Sequence, residues 1–81
     1  MLQAGEELIP SQVVYALLDG ENPIRVWREF RALTQQQLAG KAGISKPYLS
    51  QLESGKRRGT TEVLKRIAEA LDVSLEDLVE N

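Results

Sequence analysis

The chain has 81 residues and a net charge of −2, and it contains neither cysteine nor histidine, so it is long enough for one domain with a modest core. These absences exclude disulfides, zinc sites built on Cys or His, and the Ser-His-Asp and Cys-His catalytic constellations, so we expect neither an enzyme nor a cofactor. No apolar run approaches the roughly 20 residues of a membrane span, and the N-terminus lacks the basic start of a secretory signal, which favours a cytoplasmic protein that does not enter a membrane.

The first predicted helix begins at Pro10-Ser11, after a frayed lead-in over residues 1–9. Four apolar residues at helical spacing are predicted to share one face: Val13, Val14, Leu17 and Leu18. Asp19-Gly20 ends this helix. We expect residues 1–22 to form an N-terminal arm with this short helix, and residues 23–81 to form the main domain.

Asn22-Pro23 begins a second helix, because Asn is a favoured N-cap and Pro fits the first helical position. An apolar stripe follows at helical spacing: Ile24, Trp27, Phe30 and Leu33. Since both aromatic residues lie on this stripe, we interpret them as core residues rather than as a stacking platform for bases. Three arginines lie off the stripe: Arg25, Arg28 and Arg31. They are weak candidates for phosphate contact, and we expect at least two of them to form a solvated helix face.

Two short helices joined by a glycine turn form the central pattern, from Gln35 to Leu52. Small, glycine and apolar residues at the offsets of a helix-turn-helix predict the motif core: Leu38, Ala39, Gly43, Ile44, Leu49 and Leu52. Ala39 lies where the two helices meet, so a larger side chain would push them apart. Gly43 lies in the turn, where a Cβ would be strained.

Capping residues set the expected ends of these two helices. Thr34 and Gln37 have the spacing of a capping box at the start of the first. Ser45 is the expected cap of the second, which runs roughly from Lys46 to Glu53 and tolerates Pro47 in its first turn.

A basic loop, Lys56-Arg57-Arg58-Gly59, follows the second motif helix. Thr60 is expected to cap the next helix, whose inward residues are Leu64, Ile67, Ala68 and Leu71. Asp72 tolerates the left-handed conformation that ends a helix. Ser74 and Asp77 then begin a last short helix that carries Leu75, Leu78 and Val79. The chain therefore predicts an all-α fold of about six helices with no convincing strand.

The charges are unevenly distributed along the chain. Residues 1–22 carry four acidic and no basic residues, residues 23–58 carry eight basic and two acidic residues, and residues 59–81 carry six acidic and two basic residues. A basic centre between acidic ends suits a protein that presents one face to a polyanion. An ordinary solvated surface explains the same pattern equally well, so charge alone does not decide.

The segment TQQQLAGKAGISKPYLSQLESGK, from Thr34 to Lys56, resembles the core of lambda-repressor and Cro-type regulators, also called the xenobiotic-response-element type. The similarity continues into LKRIAEALDVSLEDL, from Leu64 to Leu78, and covers about residues 23–79. This resemblance implies a lambda-repressor-like DNA-binding domain of five short helices, to which the N-terminal helix is an addition. It implies DNA binding but neither the operator nor the physiological role.

In that family the second motif helix enters the major groove, and its N-terminal residues read base edges. The resemblance gives this role to Lys46, Pro47, Tyr48, Ser50 and Gln51. Gln51 can bond adenine through two hydrogen bonds and Lys46 can donate to guanine, whereas Pro47 departs from the polar residue of several relatives and offers only apolar contact. The residues expected to contact phosphate are Gln35, Ser45, Lys56, Arg57 and Arg58.

Several of these residues have a structural alternative. Ser45 is either a helix cap alone or a cap that also contacts phosphate. Tyr48 either contacts DNA or packs on the motif, and the basic loop over residues 56–58 is either a DNA contact or a solvated loop. Glu53 would repel DNA at the end of the reading helix, so we expect it to form a structural ion pair or to bond the loop.

Three functions compete at this point. The first is a sequence-specific transcription regulator, most simply a repressor that occludes a promoter. The second is the antitoxin of a toxin–antitoxin pair, which would autoregulate its operon and bury its N-terminal arm against a toxin. The third is a protein-interaction adaptor without DNA binding, against which Lys46, Gln51 and the basic loop argue. We expect a homodimer on double-stranded DNA, with the first or the last helix as its dimer surface.

Overall fold

The structure is a computed structural model that describes residues 9–79, in which every regular element is helical. In chain order the elements are α1 (Ser11–Leu18), α2 (Pro23–Phe30), α3 (Gln35–Ala42), α4 (Lys46–Glu53), α5 (Thr61–Leu71) and the 3₁₀ helix Leu75–Asp77. The predicted all-α fold is confirmed, although the last predicted helix is a single 3₁₀ turn. The predicted lead-in falls mainly on residues 1–8, outside the described residues. None of the helices in the described range is long and apolar enough to cross a membrane.

The predicted capping residues set the ends of the motif helices. The Thr34 hydroxyl accepts the Gln37 N–H at 3.0 Å, and the Gln37 side chain accepts the Thr34 N–H at 2.8 Å, which completes the capping box. Ser45 and Thr60 each accept the N–H of the residue three positions later, at 3.2 and 3.1 Å. Gly43 ends α3 with a left-handed φ of 71°. These expectations are confirmed.

The core forms where α3 packs against α4 and α5, while α2 contacts α4 and α5 from the side. Its most deeply buried side chains are Val13, Leu38, Leu49, Ile67 and Leu71. In the predicted motif core, Ile44 is half-buried, Gly43 lies in the exposed turn, and the other four residues are buried. Because Leu49 and Leu52 face the core, the opposite face of α4 is turned to solvent.

Helix α1 extends this core by packing on α2. Val13 is buried, Val14 and Leu17 are half-buried, but Leu18 is 77% exposed. The prediction that these four residues share one face is therefore wrong for Leu18. The face of α1 that packs on the core consists of Val13, Ala16 and Leu17. Leu18 lies on the far side of the helix from Val13.

Arg31, directly after α2, ties this helix to the end of α5. Its Nε donates to the Leu71 carbonyl at 2.8 Å and its Nη2 to the Asp72 carbonyl at 3.2 Å. The guanidinium also lies 5.7 Å from the Trp27 ring and 5.4 Å from the Phe30 ring, and both rings pack in the core as predicted. Arg31 is exposed, as expected for a solvated face. It also bonds these carbonyls, because carbonyls at a helix C-terminus lack helical partners and attract a cation.

Asn22 has two bonding roles that a pair of variants separates. Its Oδ1 accepts the Arg25 N–H at 3.2 Å as the N-cap of α2, and its Nδ2 donates to the Leu52 carbonyl of α4 at 3.1 Å. We expect Asn22→Ala to lower the free energy of unfolding by about 2 kcal/mol, because it removes both bonds, and Asn22→Ser by about 1 kcal/mol, because serine keeps the cap. Urea unfolding followed by circular dichroism measures both effects. Equal effects would contradict a stabilising bond to Leu52.

Candidate nucleic-acid interface

The outer face of α4 displays the residues predicted to read bases. Lys46, Pro47 and Ser50 are exposed, and Gln51 is half-buried. Within residues 9–79 the side chains of Lys46 and Gln51 are engaged in neither hydrogen bonds nor ion pairs. Proline at the second helical position leaves the fold of α4 undisturbed, since its missing N–H has no intrahelical partner in the first turn.

The basic loop is attached to the last turn of α4. The N–H groups of Lys56 and Arg57 donate to the Gln51 carbonyl at 3.0 and 3.3 Å. The side chains of Lys56, Arg57 and Arg58 are exposed. This attachment holds three positive charges beside the outer face of α4.

Tyr48 connects the loop with α4. Its ring is half-buried and packs on the core, while the Arg57 guanidinium lies over it at 5.7 Å from the centroid. A cation over an aromatic face is attracted by the ring quadrupole. Tyr48 therefore packs on the motif, as one of the two alternatives predicted. Its ring also positions Arg57, which is one of the predicted phosphate contacts.

An ion pair beneath this surface joins α2, α3 and α4. Arg28 donates twice to the Glu53 carboxylate, from Nε at 2.7 Å and from Nη2 at 3.0 Å, and its Nη1 donates to the Leu33 carbonyl at 2.8 Å. The two side chains are only 12% and 4% exposed. The hydrogen bond with Glu53 raises the pKa of Arg28, the negative charges of Glu53 and Glu29 add to this rise, and burial opposes it. The guanidinium is therefore charged at every pH at which an arginine in water is charged.

Gln35 completes the same network. Its Nε2 donates to Glu53 Oε1 at 3.1 Å, so the side chain points to the network while the first turn of α3 supplies backbone N–H groups at the surface. The ion-pair role expected for Glu53 is confirmed. Two of the three arginines are exposed, as expected: Arg25, in an exposed pair with Glu21, and Arg31. Arg28 is the exception, because its side chain is held in the ion pair. Sequence reasoning missed the partner of Glu53, because 25 residues separate the two side chains.

Ser45 contributes its hydroxyl oxygen to the Tyr48 N–H. Ser45 therefore caps α4 as predicted, and its hydroxyl hydrogen is free to donate to a phosphate. Among the described residues, no cluster of acidic side chains has an arrangement that could hold a metal ion.

A family model described as helix-turn-helix matches residues 24–78, which span the segment from α2 to the 3₁₀ helix. The chain belongs to the lambda-repressor-like helix-turn-helix family. An HTH-type transcriptional regulator of Mycobacterium tuberculosis is 49% identical over 55 residues, which are 68% of this chain and 39% of the relative. The chain thus spans well under half the length of that curated relative.

Two solved structures share the fold. The restriction-modification controller protein C.AhdI of Aeromonas hydrophila superposes with a TM-score of 0.70 at 28% identity, covering 72% of this chain and 88% of the other. The biofilm master regulator SinR in complex with DNA gives a TM-score of 0.68 at 30% identity, covering 72% of this chain and 97% of the other. These similarities confirm the family and the fold, and α1 lies outside the family segment.

The network predicts an uneven response to substitution. We expect Glu53→Leu to lower the free energy of unfolding by about 3–5 kcal/mol, because it leaves the Arg28 charge buried without a partner, and Arg28→Met to be destabilising for the same reason. The double variant Arg28→Met/Glu53→Leu should be less destabilised than either single variant, since no charge is left behind. Chemical unfolding of the four proteins in a double-mutant cycle measures the coupling. Additive effects would mean that the pair does not act as one unit.

Proposed function

We propose that the protein binds a specific sequence of double-stranded DNA by placing α4 in the major groove, and that it regulates transcription as a repressor. One observation carries the proposal: the outer face of α4 presents polar side chains with uncommitted donors, while its inner face is locked to the core by Leu49 and Leu52. A reading helix needs this division, because base contacts require both exposed hydrogen-bonding groups and a fixed orientation.

The chemistry of the outer face suits base edges. The Lys46 ammonium is a donor for guanine O6 and N7, and the Gln51 amide matches adenine N6 and N7 through two hydrogen bonds. Ser50 lies one turn after Lys46 and serves as donor or acceptor, while Pro47 offers an apolar contact to a thymine methyl. Tyr48 stands at the edge of this face, where its hydroxyl reaches a base or a phosphate.

The surroundings of α4 suit the DNA backbone. At the start of α3 the Gln35 and Gln36 N–H groups are donors for a phosphate, at the positive end of the helix dipole. At the start of α4 the Lys46 N–H has this role, because Pro47 has no N–H and Ser45 already accepts that of Tyr48. Lys56, Arg57 and Arg58 add charge on the other side of the reading face, with Arg57 held over Tyr48. The DNA complex of the similar protein SinR supports this assignment by analogy of fold.

A single reading helix buries little surface, so we propose that two copies bind two half-sites about one DNA turn apart. Repression follows most simply from occlusion, since a dimer on a promoter excludes other proteins from the same DNA. The HTH-type regulators among its relatives support a role in transcription.

Sequence selection from a random pool of duplexes, at fixed salt, tests the proposal. We expect an enriched palindromic site, and Lys46→Ala and Gln51→Ala should each weaken binding to it by about 1–3 kcal/mol, because each removes a base contact. Lys65→Ala removes an exposed lysine of α5 outside the proposed interface, and as a matched control it should leave specificity unchanged. A pool without enrichment would reject DNA reading in favour of an adaptor.

The basic loop should contribute equally to the binding of every DNA sequence, because phosphates are the same in all of them. We expect Lys56→Ala and Arg57→Ala to weaken specific and non-specific binding to similar extents, and to lower the slope of log K against log salt by about 0.9 for each phosphate that is no longer neutralised. Fluorescence anisotropy over a salt series measures affinity and slope together. A change confined to the preferred sequence would instead place these residues among the base-reading ones.

A further inference from the structure

Helix α1 exposes apolar side chains on the face that points away from α2. Its segment Ser11–Leu18 contains no charged residue, and Val13, Ala16 and Leu17 face α2. The opposite face carries Tyr15 and Leu18, which are 68% and 77% exposed. Ser11 and Gln12 are the polar residues of this helix. Large apolar side chains grouped on one exposed face favour an interaction surface.

The exposed face forms one continuous strip. Val14 and Leu18 are four residues apart and Tyr15 and Leu18 are three apart, so their side chains are neighbours on the helix surface. At one edge of the strip, Leu17 lines a groove together with the exposed residues Ile9 and Val79 and with the acidic residues Glu21, Glu76 and Asp77. The groove is therefore partly acidic, and the continuous apolar strip is that of α1 itself.

We infer that this strip is the homodimer surface, and that α1 of one copy packs antiparallel on α1 of a second copy with Tyr15 at the two-fold axis. The inference rests on the pairing of two copies proposed above and identifies which surface makes it. An interface of this kind is self-complementary, so one patch per chain is sufficient.

The charges at the two ends of α1 favour a second copy in this orientation. Ser11 and Asp19 are each four residues from Tyr15, so antiparallel pairing brings Asp19 of each copy next to Ser11 of its partner. The described residues provide no acidic side chain in the first turn of α1, and Pro10 provides no capping oxygen. The Asp19 carboxylate of one copy therefore meets the positive end of the other helix.

A parallel arrangement is disfavoured by the same charges, because it would place the two Asp19 carboxylates side by side. In the antiparallel arrangement they are about 12 Å apart along the axis at 1.5 Å per residue, which exceeds the screening length of about 8 Å at physiological ionic strength. No other charge lies within Ser11–Leu18, so the pairing buries none there.

Sedimentation of the DNA-free full chain over a concentration series tests the apolar part of the surface. We expect a reversible dimer whose dissociation constant rises by about tenfold or more in Tyr15→Ser/Leu18→Ser, as for central residues of an interface. Gln12→Ser changes an exposed residue of the same helix outside the strip and should leave the dimer intact. Circular dichroism checks that each variant is folded.

Charge variants test the orientation while the apolar strip stays intact. Ser11→Asp places an acid against the partner's Asp19, and Asp19→Lys places a base against the partner's helix N-terminus, so each should weaken the dimer. Each nevertheless suits the dipole of its own helix, so a weaker dimer cannot be explained by unfolding. The double variant Ser11→Asp/Asp19→Lys restores opposite charges between copies and should recover the dimer.

Three results would overturn the inference. They are a monomer at every concentration, a dimer that persists in Tyr15→Ser/Leu18→Ser, and a charge-swapped double variant that remains as weak as the single ones. A monomer would mean that a second copy does not cover the strip. None of these results decides whether α4 reads DNA, since selection of duplexes reports on α4 separately.

Discussion

The orientation of α4 depends on the buried ion pair between Arg28 of α2 and Glu53 at the helix's last residue. The pair is stable away from water because each guanidinium nitrogen finds an oxygen, two on Glu53 and one on the Leu33 carbonyl. Gln35 at the start of α3 shares the carboxylate. Three helices therefore meet at one carboxylate, and the proposed reading face is oriented by residues beneath it.

The same pair resolves an electrostatic conflict. Glu53 lies in the proposed reading helix, close to the loop with Lys56, Arg57 and Arg58, where an uncompensated acid would repel phosphate. Because Arg28 neutralises it beneath the surface, the field outside α4 is set by Lys46 and the basic loop. A chain with a net charge of −2 can thus present a positive face, with its acidic residues concentrated toward its two ends.

Helix α1 lies outside the segment that the family model matches, and only one of its faces packs on the core. It contributes Val13, which is 1% exposed, and so stabilises the domain that it precedes. On its outer face, Tyr15 and Leu18 are exposed. A domain that already has a complete reading motif gains from α1 a second apolar surface, and a second surface is useful for assembly rather than for reading DNA.

The sequence by itself determined the ends of α3 and α4 and the family, because the Thr34 capping box and the Gly43 turn depend on residues a few positions apart. It also placed Lys46 and Gln51 on the outer face of α4, the helix that we propose reads DNA. Only the tertiary structure decided the partners of Arg28 and Arg31, which lie 25 and 40 residues away along the chain, and which face of α1 stays exposed. The periodicity of one helix reports which residues share a face, but it does not report which neighbouring helix covers that face.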